Sequence, residues 1–182
     1  EANIQHEYEA MPFVSKDGKI DVPQFTKFYK HARNRRVSRA GTSLEQHVQR
    51  ILNERGVRFT PQAVTEESKK PDFLFPGVEE YADSRYPSSN LRMLALKTST
   101  KDRWRQVLDE ADRISEKHLF TITPSGISSK QNKQMMDKNL RLVMPKSIRD
   151  THPEDVQRNT ILFTDFITEV KDLPTLKDLG LD

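Results

Sequence analysis

The chain has 182 residues, no cysteine and a formal net charge of +3. This length is typical of one globular domain with its own hydrophobic core. The absence of cysteine excludes disulfides and thiolate metal sites and fits an intracellular protein. No apolar run of about 20 residues predicts a transmembrane helix, and no secretory signal pattern is visible.

The charge is unevenly distributed along the chain. Residues 21–58 carry nine Lys and Arg against three acids, whereas residues 151–182 carry three against seven. A basic segment of this kind favours a polyanionic partner, but the solvated face of a helix gives the same pattern.

The first third of the chain predicts two amphipathic helices. In "DVPQFTKFYKHARNRR" the apolar residues recur at helical spacing, and Asp21 is a suitable N-cap. In "TSLEQHVQRILNERG" they line one face, with Thr42 or Ser43 as the N-cap and Gly56 as the C-terminal stop. The following "VRFTPQAV" predicts a weak strand that Pro61 interrupts.

The rest of the chain predicts strands that alternate with helices. The expected strands are "DFLFPG", "LRMLALKTS", "KHLFTIT" and "LRLVMP". The expected helices are about Lys101 to Ile114, "SSKQNKQMMDKN" and "TILFTDFITEVKDL". This alternation predicts an α/β fold with helices on both faces of a sheet, and the strands on either side of the 101–114 helix should be parallel.

Two charged residues stand at strand ends. Asp72 opens one predicted strand and Lys97 closes the next. Metal-dependent hydrolysis of a phosphodiester needs carboxylates that hold the metal and a cation that stabilises the developing charge. A second acid usually stands two residues before such a lysine, but here that position is Ala95. A Pro-Asp turn and an emerging lysine also explain the pattern without any catalysis.

The predicted helix after Lys97 offers substitutes for the missing acid. At about 100° per residue its apolar residues form one stripe, with Glu110 and Asp112 on opposite borders. Spacing alone does not choose between these two acids. At its start, Lys101, Asp102 and Arg103 form a donor–acceptor–donor triplet that suits G·C pairs, although Asp102 also suits a helix N-terminus.

Four stretches carry a resemblance to a known family. They are "SRAGTSLEQHV", "KKPDFLFPG", "LALKTSTKDRWRQVLDEADR" and "KHLFTITPSG". Together they resemble the catalytic domain of EcoRII-like type II restriction endonucleases, the group of EcoRII, PspGI and Ecl18kI, over at least residues 39–145. The resemblance implies a restriction-endonuclease-like, PD-(D/E)xK fold, in which helices flank a central mixed sheet. It implies Mg²⁺-dependent hydrolysis of double-stranded DNA at a short CC(N/W)GG-type site.

The resemblance also implies roles for four residues. In this group the second metal-side acid lies on the helix after the strand. Asp72 and Glu110 then match the metal ligands, and Lys97 matches the catalytic lysine. Glu45 matches an upstream acid that is a second metal ligand or orients water. A solvated charge on a helix surface is the plain alternative for Glu45.

DNA recognition follows from the same resemblance. Lys101, Asp102 and Arg103 match the readers of the C·G pairs, although some members have Arg and Glu at the first two positions. Arg36 and Arg39 are expected to contact DNA. The group flips the central bases out of the helix, and the candidates for a pocket in the basic N-terminal region are Phe28, Tyr29, Arg33 and Arg36. Phe28 and Tyr29 also suit a hydrophobic core.

The resemblance sets expectations for organisation and partners. One endonuclease domain, 1–182, is expected, with a basic helical segment at 1–38, the nuclease core at 39–145 and a C-terminal helix and tail at 146–182. A near-palindromic site implies a homodimer. The expected setting is the cytoplasm of a prokaryote, away from membranes, with a cognate DNA methyltransferase. An N-terminal effector domain, as in EcoRII, is an expected partner absent from this chain.

Two other functions remain compatible with the residues. One is a catalytically inactive, sequence-specific DNA-binding module. The other is a repair or junction nuclease of the same fold, against which the Lys101–Arg103 triplet argues, because such nucleases need no base readers.

Overall fold

The computed structural model describes residues 13–14, 18–100 and 103–181. The chain divides into two compact units between Thr42 and Ser43. Helix α1, Val22–Glu54, crosses this division, so its last portion, from Ser43, belongs to the second unit. Within the described ranges, no helix is long and apolar enough to cross a membrane.

Helix α1 begins as the sequence predicts. The Asp21 Oδ1 atom accepts a hydrogen bond from the backbone N–H of Gln24 at 3.0 Å, which confirms the N-cap. The predicted stop is also confirmed, because Gly56 follows the helix with φ +67°. The predicted break at Thr42 is wrong, since the helix continues through it. An interior glycine such as Gly41 costs a helix only about 1 kcal/mol, too little to end it.

The first unit contains a small aromatic cluster. The ring of Phe13 packs on Phe25 and Phe28 with centroid distances of 5.1 and 5.0 Å. Phe28 and Tyr29 nevertheless remain 38% and 58% exposed, so the interpretation of these two as core residues is wrong.

The second unit is built on a six-stranded mixed sheet whose strands lie in chain order. The strands are β1 (Thr60–Pro61), β2 (Phe73–Phe75), β3 (Arg92–Leu96), β4 (Lys117–Phe120), β5 (Leu140–Met144) and β6 (Thr160–Leu162). Strands β1 to β3 pair antiparallel, and β3 to β6 pair parallel. The predicted parallel pairing of β3 with β4 is therefore confirmed.

Apolar residues cover both faces of this sheet. Along β3, Met93 and Ala95 face one hydrophobic cluster, and Leu94 and Leu96 face the other, as the period of two requires. The first cluster includes Met135 of helix α3 (Ser129–Met136), and the second includes residues of the last portion of α1 and of α6 (Phe163–Lys171). Helices on both faces confirm the predicted α/β class. The short helices α2 (Val78–Ala82), α4 (Lys146–Arg149) and α5 (Glu154–Arg158) lie in the connections.

Two predicted helices differ in the structure. Within 101–114 the described residues form a 3₁₀ helix, Arg103–Asp109, and the left-handed φ of +51° at Ala111 ends the helical path before Ile114. The predicted stripe is still buried there. The segment "TILFTDFITEVKDL" divides into β6 and α6, because its first residues pair with β5.

Candidate active site

Asp72 and Lys97 meet at one edge of the sheet. Strands β2 and β3 are antiparallel, so the residue before β2 lies beside the last residues of β3. The Asp72 Oδ2 atom accepts a hydrogen bond from the backbone N–H of Leu96 at 2.6 Å and lies 3.9 Å from the Lys97 Nζ atom. The backbone N–H of Lys97 donates to the Phe120 carbonyl at 3.0 Å, which ties this end of β3 to β4. The acid and the lysine are therefore held as an ion pair.

Glu110 is the third ionisable residue of the candidate site. Burial raises the pKa of its carboxyl to about 7, the nearby Lys97 ammonium lowers it, and the nearby Asp72 carboxylate raises it again. Its Oε2 atom is buried and has no hydrogen-bond partner among the residues that the structure describes. Glu110 therefore interacts electrostatically with both Asp72 and Lys97.

Asp112, the other acid that the sequence leaves open, occupies a different environment. It is exposed, and its backbone N–H donates to the Glu66 Oε2 atom at 3.2 Å. The difference arises at Ala111, whose left-handed backbone separates the directions of the two acids. The continuous α-helix that the sequence predicts has no such turn.

Lys117 stabilises the backbone turn at Ala111 through hydrogen bonds. Its buried Nζ atom donates to the backbone carbonyls of Glu110 and Ala111 at 2.5 and 2.6 Å. Burial lowers the pKa of this ammonium, and the surrounding carboxylates, Asp112 first, raise it. Lys117 lies within the apolar strand β4, so its role is not predictable from a local sequence pattern.

Tyr81 and Arg113 hold the same turn from its other end. The Tyr81 hydroxyl donates to Glu66 at 2.6 Å and accepts from the backbone N–H of Arg113 at 3.2 Å. The Arg113 guanidinium donates to the carbonyls of Tyr81, Asp83 and Tyr86. The segment that carries Glu110 is thus anchored to α2 and the residues after it.

Glu45 is connected to the site through Gln62, a residue that no sequence motif indicates. The Gln62 Nε2 atom donates to the Glu45 Oε1 atom at 2.9 Å and to the Asp72 Oδ1 atom at 3.0 Å. Glu45 lies on the portion of α1 that belongs to the second unit. Gln62 directly follows the short strand β1, a position without any recognisable motif.

The predicted DNA contacts are only partly within the described structure. Lys101 and Asp102 lie outside the described residues. Arg103 is exposed at the start of the 3₁₀ helix. Arg36 and Arg39, like Arg33, are exposed on α1 in the first unit.

The site has a donor set that suits a hard cation. Among the residues that the structure describes, no three or more His, Cys, Asp or Glu side chains are grouped so that they hold a metal ion. Mg²⁺ needs only one or two carboxylates, because waters and substrate oxygens complete its shell. Asp72 and Glu110 are candidates for such a pair, and the buried Oε2 atom of Glu110, which has no hydrogen-bond partner among the described residues, is an acceptor that a cation would satisfy.

Three comparisons with known proteins agree with this architecture. A family model described as "EcoRII C terminal" matches residues 2–167. The type II restriction enzyme EcoRII of Escherichia coli is 45% identical over 161 residues, which are 88% of this chain and 40% of that enzyme. The chain therefore spans less than half the length of this relative.

Solved structures of two restriction endonucleases have the same fold. A metal-depleted complex of Ecl18kI with uncleaved DNA matches with a TM-score of 0.69 and 20% identity, over 83% of this chain and 51% of that one. A complex of the restriction endonuclease PspGI with substrate DNA matches with a TM-score of 0.63 and 15% identity, over 100% and 89%. With a family model that covers most of its length and a mixed sheet of this topology, the chain belongs to the EcoRII C-terminal family and has the restriction-endonuclease-like α/β fold.

Proposed function

We propose that this chain is the catalytic domain of a type II restriction endonuclease that uses Mg²⁺ to hydrolyse double-stranded DNA. The observation that carries the proposal is the ion pair of Asp72 and Lys97 at the end of β3, close enough to Glu110 to affect the pKa of its carboxyl. The similar proteins support it: one is described as a type II restriction enzyme, and the two solved structures are complexes of restriction endonucleases with DNA. The proposed nuclease core is 39–145, between the basic helical segment at 1–38 and the C-terminal segment at 146–182.

The chain's own residues supply distinct elements of the reaction. Asp72 and Glu110 would hold the metal. When bound, the metal would activate a water molecule and neutralise charge on the phosphate. The Leu96 N–H and the Gln62 amide donate hydrogen bonds to the two oxygens of the Asp72 carboxylate. Lys97, held by its backbone bond to β4, presents its ammonium to the scissile phosphate and stabilises the charge that develops there.

Sequence recognition is assigned to the corner between β3 and the 3₁₀ helix. Lys101 and Arg103 would donate to guanine, and Asp102 would accept from cytosine, in a CC(N/W)GG-type site with its central bases flipped. The exposed Arg36 and Arg39 would contact the DNA backbone. A homodimer would place one subunit on each strand. In a prokaryotic cytoplasm, a cognate methyltransferase would protect the host DNA.

Digestion of plasmid DNA with Mg²⁺, followed by sequencing of the ends, tests this function. Discrete fragments whose ends lie at one CC/GG-containing sequence are expected. Random cleavage would favour a repair or junction nuclease of the same fold. Intact DNA at every Mg²⁺ concentration, with specific binding retained, would favour an inactive DNA-binding module.

A further inference from the structure

One side-chain amide joins two carboxylates from different regions of the second unit. The Gln62 Nε2 atom lies 2.9 Å from the Glu45 Oε1 atom and 3.0 Å from the Asp72 Oδ1 atom. Ionised carboxylates only accept hydrogen bonds, so the NH₂ group of the amide and not its carbonyl must face both of them. The two hydrogens of one nitrogen thus satisfy one acceptor each.

The backbone of Gln62 supports the same arrangement. Its N–H donates to the backbone carbonyl of Asp72 at 3.1 Å, directly after the pairing of Pro61 with Phe73. Gln62 has a φ of +49°, a left-handed conformation that residues with a side chain rarely adopt. Such conformations persist where the surroundings hold them, and they cluster at functional sites.

The consequence for Asp72 is that both of its oxygens are held. Oδ1 accepts from Gln62, and Oδ2 accepts from the backbone of Leu96 at 2.6 Å. Gln62 is in turn held by Glu45, which α1 carries. The orientation of the carboxylate beside Lys97 therefore depends on a chain of hydrogen bonds that begins at Glu45.

We infer that Gln62 is a positioning residue for Asp72 and that Glu45 acts through Gln62. The inference rests on the proposed function, and it deepens it by giving Glu45 a role other than that of a metal ligand or an orienter of water. The bridge uses Glu45 only as a hydrogen-bond acceptor. A metal ligand would instead need the negative charge of Glu45.

This difference defines four variants for single-turnover cleavage of DNA with Mg²⁺. Gln62→Met keeps the size of the side chain but removes the donors, and cleavage should slow about 10–100-fold, the usual loss for residues that orient metal ligands. Glu45→Ala should slow it by a similar factor. Glu45→Gln keeps an acceptor and should stay within a few-fold of the wild type. The double variant Glu45→Ala/Gln62→Met should be no slower than the slower single variant.

Gln46→Met, an exposed change next to Glu45 on the same helix, is the matched control and should cleave at the wild-type rate. Two results would overturn the inference. One is a Glu45→Gln variant as slow as Glu45→Ala, which would mean that the charge is required. The other is a double variant whose loss is the product of the two single losses, which would mean that the residues act independently.

A measurement without DNA separates this inference from the proposed function. The wild type, Glu45→Ala, Gln62→Met and the double variant are each unfolded in urea as the full chain, without metal. If the bridge forms, the decrease in urea midpoint of the double variant should be smaller than the sum of the decreases of the two single variants. A decrease equal to that sum would contradict the bridge. Calorimetric titration with Mn²⁺ should show weaker binding by Gln62→Met than by Gln46→Met, and equal binding would contradict the positioning role. A wild type that binds Mn²⁺ but leaves all DNA intact would refute the proposed function while these results still decide the bridge.

Discussion

The ammonium group of Lys117 donates a hydrogen bond to the backbone carbonyl of Glu110 across 2.5 Å and another to Ala111 across 2.6 Å. Ala111 has a left-handed backbone, and Glu110 stands directly before it. Among the described residues no carboxylate lies within ion-pair distance of this buried lysine, which is unusual because burial disfavours its charge. Here its hydrogen bonds hold the turn that separates the direction of Glu110 from that of Asp112.

Lys117→Met tests this anchoring. Methionine keeps the apolar stem but donates no hydrogen bonds, so the turn should loosen and cleavage should slow about 10–100-fold, with a higher Mg²⁺ requirement. Single-turnover rates across a Mg²⁺ titration measure both effects. Lys133→Met, a change outside the site on α3, is the matched control. Unchanged rates and Mg²⁺ requirement in Lys117→Met would show that the turn holds without this lysine.

Glu110→Gln and Asp112→Asn form a matched pair that tests the choice of the second acid. Both replace a carboxyl by an amide of the same size, two residues apart, but Glu110 is half-buried with Asp72 and Lys97 nearby, whereas Asp112 is exposed. Glu110→Gln should lower the cleavage rate by about 100-fold or more, because the metal that would neutralise charge on the phosphate loses a carboxylate ligand. Asp112→Asn should stay within a few-fold of the wild type. The reverse order of the two effects would show that Asp112 is the acid.

His118 predicts how stability depends on pH. It is fully buried in β4, and burial, with Arg92 and Arg141 nearby, lowers its pKa to about 3, although Glu116 lies 3.6 Å from its Nε2 atom. The folded state then binds fewer protons than the unfolded state between about pH 6.5 and 3. The contribution of neutral His118 to the free energy of unfolding is therefore fully present above about pH 6.5. It decreases by about 1.4 kcal/mol for each pH unit as the pH falls from there towards about 3.

Urea unfolding of His118→Leu between pH 4 and 7 measures this loss. The variant should lose less stability than the wild type as the pH falls, because leucine has no proton to bind. Gln46→Leu, an exposed change that involves no ionisable group, should keep the wild-type slope. Equal slopes for the wild type and His118→Leu would show that the folded protein accommodates a charged His118.

The recognition triplet predicts a loss of discrimination rather than of chemistry. Asp102→Ala and Arg103→Ala should each lower the preference for the C·G pairs by about 1–3 kcal/mol per contact. Competition between cognate duplexes and duplexes with one changed pair measures it. Arg105→Ala, which removes another exposed arginine of the same 3₁₀ helix, should keep the preference. A uniform loss of affinity for every duplex would instead indicate contacts to the phosphates.

Local sequence patterns predicted the elements with the strongest periodicity. The apolar run of β3 and the short buried β2 were recognisable, and together they bring Asp72 to Lys97 because antiparallel strands align their opposite ends. The break expected at Thr42 was wrong because capping residues are tolerated inside a long helix. The 101–114 segment kept its buried stripe but forms a 3₁₀ helix that ends at Asp109, because the hydrogen bonds of Lys117 and Arg113 stabilise a turn after it.

The residues that orient the site were beyond local patterns. Gln62 contacts Glu45 and Asp72, which are 17 and 10 positions away, and Lys117 contacts backbone carbonyls rather than side chains. Neither contact leaves a periodic or motif-like trace. Such residues become visible only when the tertiary structure brings their partners together.

Lys97→Ala, compared with the wild type for cleavage and for binding of the same CC/GG duplex, tests the central claim most directly. The ammonium near Asp72 is assigned to the chemistry and not to recognition. Cleavage with Mg²⁺ should therefore fall by about 100-fold or more, while specific binding in the absence of metal changes little. A Lys97→Ala protein that cuts this duplex at the wild-type rate would contradict the assignment of the active site.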